Sequence, residues 1–258
     1  MKLSTLFYFL CGAVAGSFIN VCIARLPRER SVVYPPSACD LCGHRLGLWD
    51  LFPVLSYLLL GGRCRYCGGA ISLQVLWVEV ITGALFVWAG RYSPFGWQLL
   101  LLWCFLGCLV LETFVDLREM IILDEVLIVL FATGLCYAAF YHPLGLETLG
   151  GTLTGAVVLG TIHFLSSGGI GWGDVKFVTA LGPWLGVSGM AVCLAGAFLL
   201  AGTAGFLLWL TGRVTGQSRI PFGPFLAVGA GLGFFYAPEL LADYWSFFII
   251  KGGRDYGM

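Results

Sequence analysis

Long uncharged apolar stretches alternate with short polar breaks along most of the chain, a pattern that predicts membrane-crossing helices. Residues 3–24 form a first charge-free run of 22, enough at about 20 residues per crossing. Only Lys2 precedes this run, while Arg25, Arg28 and Arg30 follow it. Those flanks are wrong for a cleaved secretory signal, despite the small residues Ala13-Val14-Ala15, so the run is read as a retained first span. Further spans are expected at 75–90, 95–115, 126–146, 148–173 and 220–238, with the aromatic tail from Tyr244 to Ile250 at an interface. Residues 177–212 are uncharged for 36 positions. One continuous helix of that length would measure about 54 Å, too long for a single crossing of a roughly 30 Å core. Gly182-Pro183, Gly186 and Gly189 supply a break, so two short helices are expected there. The predicted fold is an all-α polytopic membrane protein with about eight transmembrane helices.

One polar block interrupts the series. Residues 25–74 hold Pro27, Pro35, Pro36, Pro53, six arginines and four clustered cysteines. The chain therefore divides into a first transmembrane helix (1–24), a four-cysteine insert (25–74) and a helical membrane domain (75–258). The insert reads Cys39-x-x-Cys42, then 21 residues, then Cys64-x-x-Cys67. Two such knuckles suit tetrahedral thiolate coordination, with Gly43 and Gly68 easing each turn. Structural zinc in a zinc-ribbon-like insert is the expectation; a rubredoxin-like iron site uses the same ligands, and the sequence does not separate the two. Two disulfides would be the other use of the four thiols, but a reducing cytoplasm opposes them. An insert of about fifty residues builds little core, so a metal would stabilise it. His44 is expected at the surface rather than as a fifth ligand. Cys11, Cys22, Cys104, Cys108, Cys136 and Cys193 lie in apolar stretches and read as packing residues.

Composition agrees with the pattern. Apolar residues make up 59% and charged residues 11% of 258, where a soluble domain carries roughly a quarter charged residues. Zero formal net charge argues against a nucleic-acid partner. With the arginine-rich insert in the cytoplasm, alternation puts Arg25, Arg28, Arg30, Arg45, Arg63, Arg65, Arg118, Lys176, Arg213 and Arg219 inside. Only Lys2, Arg91, Lys251 and Arg254 fall outside.

The acids at the spans carry the chemistry. Glu79, Glu112, Asp116 and Asp174 lie in or beside apolar runs, where an ionisable group costs a few kcal/mol and is functional by default. Alternation places Asp116 and Asp174 at the same membrane face. Two carboxyl groups at one depth share a proton, so one serves as acid and the other as base. The base would draw a proton from water attacking a peptide carbonyl, and the acid would protonate the oxygen or the leaving amine. Asp174 follows Gly168-Gly169-Ile170-Gly171-Trp172-Gly173. Glycines at Gly171 and Gly173 allow bending and close substrate approach, and a helix N-terminus there favours negative charge. Simple helix capping is the plainer role for both aspartates. Glu79 and Glu112 read as substrate-contacting or packing residues, Lys176 as a snorkelling cation or positioning group, and His163 as a hydrogen-bonded interior residue.

Six segments in order resemble the type IV prepilin peptidase family, whose members are GxGD intramembrane aspartyl proteases. They are Gly16-Ser17-Phe18-Ile19-Asn20 through Pro27, the double CxxC enclosing Asp50-Leu51-Phe52-Pro53, Glu79 in the second span, the elbow at Asp116, and Gly171-Trp172-Gly173-Asp174 followed by Ile220-Pro221-Phe222-Gly223-Pro224-Phe225. The resemblance implies that Asp116 and Asp174 are the catalytic pair. It further implies cleavage of a basic leader from prepilins or pseudopilins after a glycine, at the cytoplasmic face of a bacterial inner membrane. It implies methylation of the new N-terminus, commonly phenylalanine, with S-adenosylmethionine as donor. Three positions depart from the family pattern: Leu73 to Val78 lacks the Arg-Tyr-Pro common before the glutamate, Leu123-Asp124 replaces Pro-Asp, and Glu112 is atypical. Two other classes compete: a proton- or ion-coupled transporter, whose carboxylates would lie near the midplane, and a metal-binding membrane scaffold, for which the GxGD segment has no use.

Overall fold

The apolar runs fold as helices because a backbone in hydrocarbon must satisfy its own N–H and C=O groups. A computed structural model of the protein describes residues 3–141, 145–166, 169–212 and 220–252, with side chains through Ser246. Its helices are α1 (Leu3–Arg25), α2 (Leu55–Leu59), α3 (Leu73–Ala89), α4 (Trp97–Glu119), α5 (Asp124–Tyr141), α6 (Leu146–Leu165), α7 (Trp172–Leu210) and α8 (Gly223–Gly252). Among the described residues, the remaining regular features are a 3-10 turn at Leu26–Arg28 and two isolated β-bridges. Six helices, α1 and α4 to α8, are long and apolar enough to cross a membrane, and α3 is a shorter apolar helix.

The 39 residues of α7 are two helical segments meeting at Gly186, within the stretch where the glycines predict a break. Gly186 has φ 61° and ψ −171°, a region essentially closed to residues with a Cβ. The interruption frees the Val187 N–H, and Glu147 Oε2 accepts it at 3.3 Å.

Some boundaries differ from expectation. α4 runs on through Asp116 to Glu119 and stops where Met120 adopts a left-handed φ of 54°. α6 ends at Leu165; of the rest of the expected span 148–173, the described residues 169–171 are non-helical and Trp172 and Gly173 open α7. α8 carries the helix through the aromatic tail, with Tyr244 and Trp245 exposed. Lys2, Gly168, Arg213, Arg219 and Arg254 lie outside the described residues, as does the side chain of Lys251.

Two compact units divide the chain, Met1–Val115 and Asp116–Met258. In the first, α1 packs on α3 through small residues. A Cβ on Gly12 would stand 2.7 Å from the Gly83 Cα, and one on Gly16 would stand 2.7 Å from the Glu79 Cα. Such contact of backbones is what helix association in lipid favours. In the second unit α7 packs on α5, α6 and α8. There Trp184 Nε1 donates to the Leu130 carbonyl at 2.8 Å, and a Cβ on Gly189 would stand 2.9 Å from the Gly233 oxygen.

Gly186→Ala is expected to cost about 1–3 kcal/mol through its disallowed backbone conformation, read as a lower thermal midpoint in detergent. Gly202→Ala, where a Cβ would meet nothing within 4 Å, is the matched control and should not lower the midpoint.

Candidate active site and metal centre

Each CxxC knuckle is closed by the same backbone pattern. Cys39 N–H donates to the His44 carbonyl and Gly43 N–H to the Cys39 carbonyl, both at 2.9 Å. Cys64 N–H donates to Gly69 at 2.8 Å and Gly68 N–H to Cys64 at 2.9 Å. Gly43 and Gly68 take φ of 69° and 71°, the left-handed turn that glycine adopts without strain. Antiparallel bridges Ala38–Arg45 and Arg63–Ala70 flank the two knuckles. The insert is thus a structural repeat of one small unit.

The repeat brings four sulfurs together: Sγ atoms of Cys39, Cys42, Cys64 and Cys67 all lie within 4.8 Å of one another, and Cys39 and Cys67 are 3.9 Å apart. Ligands at about 2.3 Å from a tetrahedral ion are about 3.8 Å apart, so the cluster fits a four-thiolate metal. Backbone N–H groups of Cys42 and Leu41 hold the Cys39 thiol down at about 7, while Cys67 in the same cluster is pushed up to about 11. His44 is not in the cluster; its ring stacks on Tyr66 with centroids 3.6 Å apart. Asp50 ties the halves, accepting from Arg65 Nε at 2.7 Å, Gly47 N–H at 3.0 Å and the Tyr66 hydroxyl at 3.1 Å. The Arg65 hydrogen bond keeps its carboxyl below the usual carboxylate range.

Glu79, 4% exposed in α3, accepts the Val54 N–H at 2.7 Å. Val54 has φ 63°, so a buried carboxylate secures a turn that a branched residue disfavours. Sequence reading placed Glu79 near substrate or packing but did not find this tether to the insert.

Asp116 and Asp174 both belong to the second unit and are buried, at 5% and 9% exposure. Asp116 lies in the last turn of α4, where its Oδ2 accepts the Gly223 N–H at 2.8 Å. Gly223 is the first residue of α8, whose unpaired N–H groups favour an anion. A Cβ on Gly223 would stand 2.8 Å from Asp116 Oδ2, so the glycine is what admits the carboxyl. Asp174 lies in the first turn of α7, and its Oδ2 accepts the Gly171 N–H at 3.2 Å. That is a helix cap, and it engages one of the two carboxyl oxygens. The two carboxyl groups interact electrostatically. Gly173 backs onto Ile122, where a Cβ would stand 3.0 Å from that side chain.

The remaining candidates take structural places. Lys176 Nζ pairs with both Asp124 oxygens, at 2.9 and 2.8 Å. His163 Nδ1 shares a hydrogen bond with the Ile170 carbonyl at 2.7 Å, fastening the end of α6 to the loop before Gly171. Glu112 is fully buried in α4. Gly223 is the residue that sequence reading quoted without giving it a role. Its signal was a glycine between Pro221 and Pro224 at the start of an apolar run, which marks a helix start but not its partner.

Comparison with known proteins bears on both units. Residues 10–92 match the family described as bacterial peptidase A24 N-terminal domain, and residues 99–210 match the type IV leader peptidase family. A prepilin leader peptidase/N-methyltransferase of Bacillus subtilis is 32% identical over 94% of this chain and 97% of its own. Proteins of the same name from Aeromonas salmonicida (32%; 92% of each chain) and Burkholderia pseudomallei (30%; 96% and 88%) are similarly close. No solved structure matches the chain.

Replacing Cys39 and Cys42 together by Ser should remove most of the metal found by elemental analysis of the purified protein and lower the unfolding temperature. A native preparation without any metal would contradict the four-thiolate assignment.

Proposed function

Since the chain belongs to the type IV leader peptidase family, we propose that it is a membrane aspartyl endopeptidase acting on prepilins or pseudopilins. It removes their basic leader at the cytoplasmic face of a bacterial inner membrane and N-methylates the residue so exposed. The observation that carries this reading is the pair Asp116 and Asp174. They come from opposite ends of two helices, and both are buried, fixed by backbone N–H groups and within electrostatic reach of each other.

Such a pair holds one proton between two carboxyl groups. The ionised member takes a proton from a water that attacks the scissile carbonyl; the protonated member gives its proton to the developing oxyanion or the leaving amine. Titration then belongs to the pair as a whole. The Gly223 and Gly171 N–H groups each occupy one oxygen, which orients the other without neutralising the group. Lys176 is held by Asp124 and serves to position the start of α7 rather than to donate protons.

Eight crossings result when α3 and the two segments of α7 are counted with the other long helices. The cation distribution supports an orientation with the insert, Arg118 and Lys176 in the cytoplasm. Zinc is the metal we assign to this closed four-thiolate site, which leaves no open position for chemistry. Its role is to hold the insert. A proton- or ion-coupled transporter would carry its carboxylates near the midplane, often at broken helices, whereas the topology we propose sets Asp116 and Asp174, in a last and a first turn, at one membrane face.

Asp116→Asn and Asp174→Asn should each lower leader cleavage by at least about 10³-fold in liposomes with unfolding temperature retained; undiminished cleavage by either variant removes that residue from the pair. Gly223→Ala should lower kcat with little change in KM, because its Cβ displaces the Asp116 carboxyl.

A further inference from the structure

A groove of about 950 Å³ runs along the second unit between α5, α6 and the start of α7. On α5, Asp124, Leu127, Phe131 and Leu135 recur at helical spacing, so one face of that helix lines it. On α7, Trp172, Val175, Lys176 and Thr179 do the same, while Asp174 falls on the opposite side of the helix and is buried. From Asp124 to Leu135 the groove extends about 16 Å at 1.5 Å per residue. That is close to one leaflet, half of a roughly 30 Å core.

Charge is confined to one end. The charged lining residues are Asp124 and Lys176, where α5 and α7 begin. Lys176 Nζ donates to both Asp124 oxygens, and both side chains stay exposed. The ammonium keeps a further N–H, and each carboxylate oxygen keeps a lone pair. A neutral pair thus offers a donor and acceptors side by side. The rest of the lining is apolar except Thr161 and Thr179, and the Thr179 hydroxyl donates to the Val175 carbonyl of its own helix at 2.7 Å.

We propose that the groove binds one glycerophospholipid whose zwitterionic headgroup carries a primary amine. Its phosphate meets Lys176, its ammonium meets Asp124, and an acyl chain lies along α5. Headgroup and ion pair are each neutral overall and opposite in their parts. An anionic headgroup has no cation for Asp124, and a quaternary amine has no N–H to donate to it. Trp172, at the same end, is a residue type that favours the headgroup level. The inference rests on the membrane topology proposed above, which sets this end at the cytoplasmic face, and not on the peptidase chemistry. The lipid also braces the approach to Asp174 from the far side of α7. Phe164 and Trp172 both line the groove and meet edge-on with centroids 6.2 Å apart. His163 beside Phe164 holds the Ile170 carbonyl at 2.7 Å, just before Gly171.

Native mass spectrometry tests the site on delipidated protein in detergent, titrated with dioleoyl phosphatidylethanolamine, phosphatidylcholine or phosphatidylglycerol. The native protein should retain one phosphatidylethanolamine, bound at least about 10-fold more tightly than either other lipid. Asp124→Asn removes the partner of the amine and leaves Lys176 its charge, so the preference should reverse toward phosphatidylglycerol. Ala132→Trp fills the groove from an exposed position about two turns along α5 from Asp124 and should abolish retention. Phosphatidylethanolamine should raise the unfolding temperature of the native protein but not that of Ala132→Trp, whose own transition shows that it folds. Equal retention of the three lipids by the native protein would overturn the site. So would the native preference in Asp124→Asn, or retained phosphatidylethanolamine in Ala132→Trp. A dimer that Ala132→Trp dissociates would give the groove to a second copy of the chain and overturn the lipid. None of these readings uses leader cleavage, so failure of the site leaves the peptidase reading standing, and a lipid-binding protein without cleavage would overturn that reading alone.

Discussion

An N–H freed from its helix in a medium without water must find an acceptor inside the protein. That constraint recurs throughout the structure, and carboxylates meet it. Glu147 takes the Val187 N–H released by the break at Gly186, Asp116 takes the Gly223 N–H at the start of α8, Asp174 takes the Gly171 N–H before α7, and Glu79 takes the Val54 N–H of a strained turn. An acid in an apolar span costs a few kcal/mol, and a buried N–H left unmet costs a similar amount. Where both partners are buried, as at Asp116 and Gly223, the contact offsets both. The irregular backbone and the acids therefore depend on each other, and removing either leaves an uncompensated polar group.

The insert solves a different problem. A segment of about fifty residues cannot bury enough apolar surface to fix itself, and many of its large apolar side chains, such as Leu48, Trp49 and Leu59, are exposed. Order comes from two duplicated turns that converge on four sulfurs, with Asp50 bridging to Arg65 and Tyr66 as a second link. The four-thiol cluster is thus a consequence of one small repeat.

Local chemistry was legible in the sequence, and distant partners were not. The CxxC spacing gave the thiol cluster, glycines beside Pro183 gave the break in α7, and the glycine-rich approach to Asp174 gave a helix start. Each depends on residues close together in the chain. The expected end of α4 falls too early, because the apolar run in the sequence stops at Asp116. The helix instead continues through Arg118 and Glu119 until Met120 turns left-handed. Gly223 lies 107 residues from Asp116, and nothing in its own neighbourhood names that partner. The same holds for Val54 with Glu79 and for Lys176 with Asp124, whose pairing depends on packing that periodicity does not encode.

Contact with a freed N–H does not by itself distinguish a catalytic acid from a structural one, since all four carboxylates have such a contact. What separates them is the company each keeps. Glu147 is exposed beside a helix break and needs only to accept one hydrogen bond. Glu79 is buried and accepts the Val54 N–H, and no second buried carboxyl group stands beside it among the described residues. Asp116 and Asp174 alone among the four are buried within electrostatic reach of another buried carboxyl group, and that coupling allows one proton to serve two roles. Backbone contacts fix where each acid stands, but the neighbouring charge decides what it can do. In the proposed mechanism, a general acid–base pair arises where two such tethers, on α4 and α7, meet within one unit of the fold.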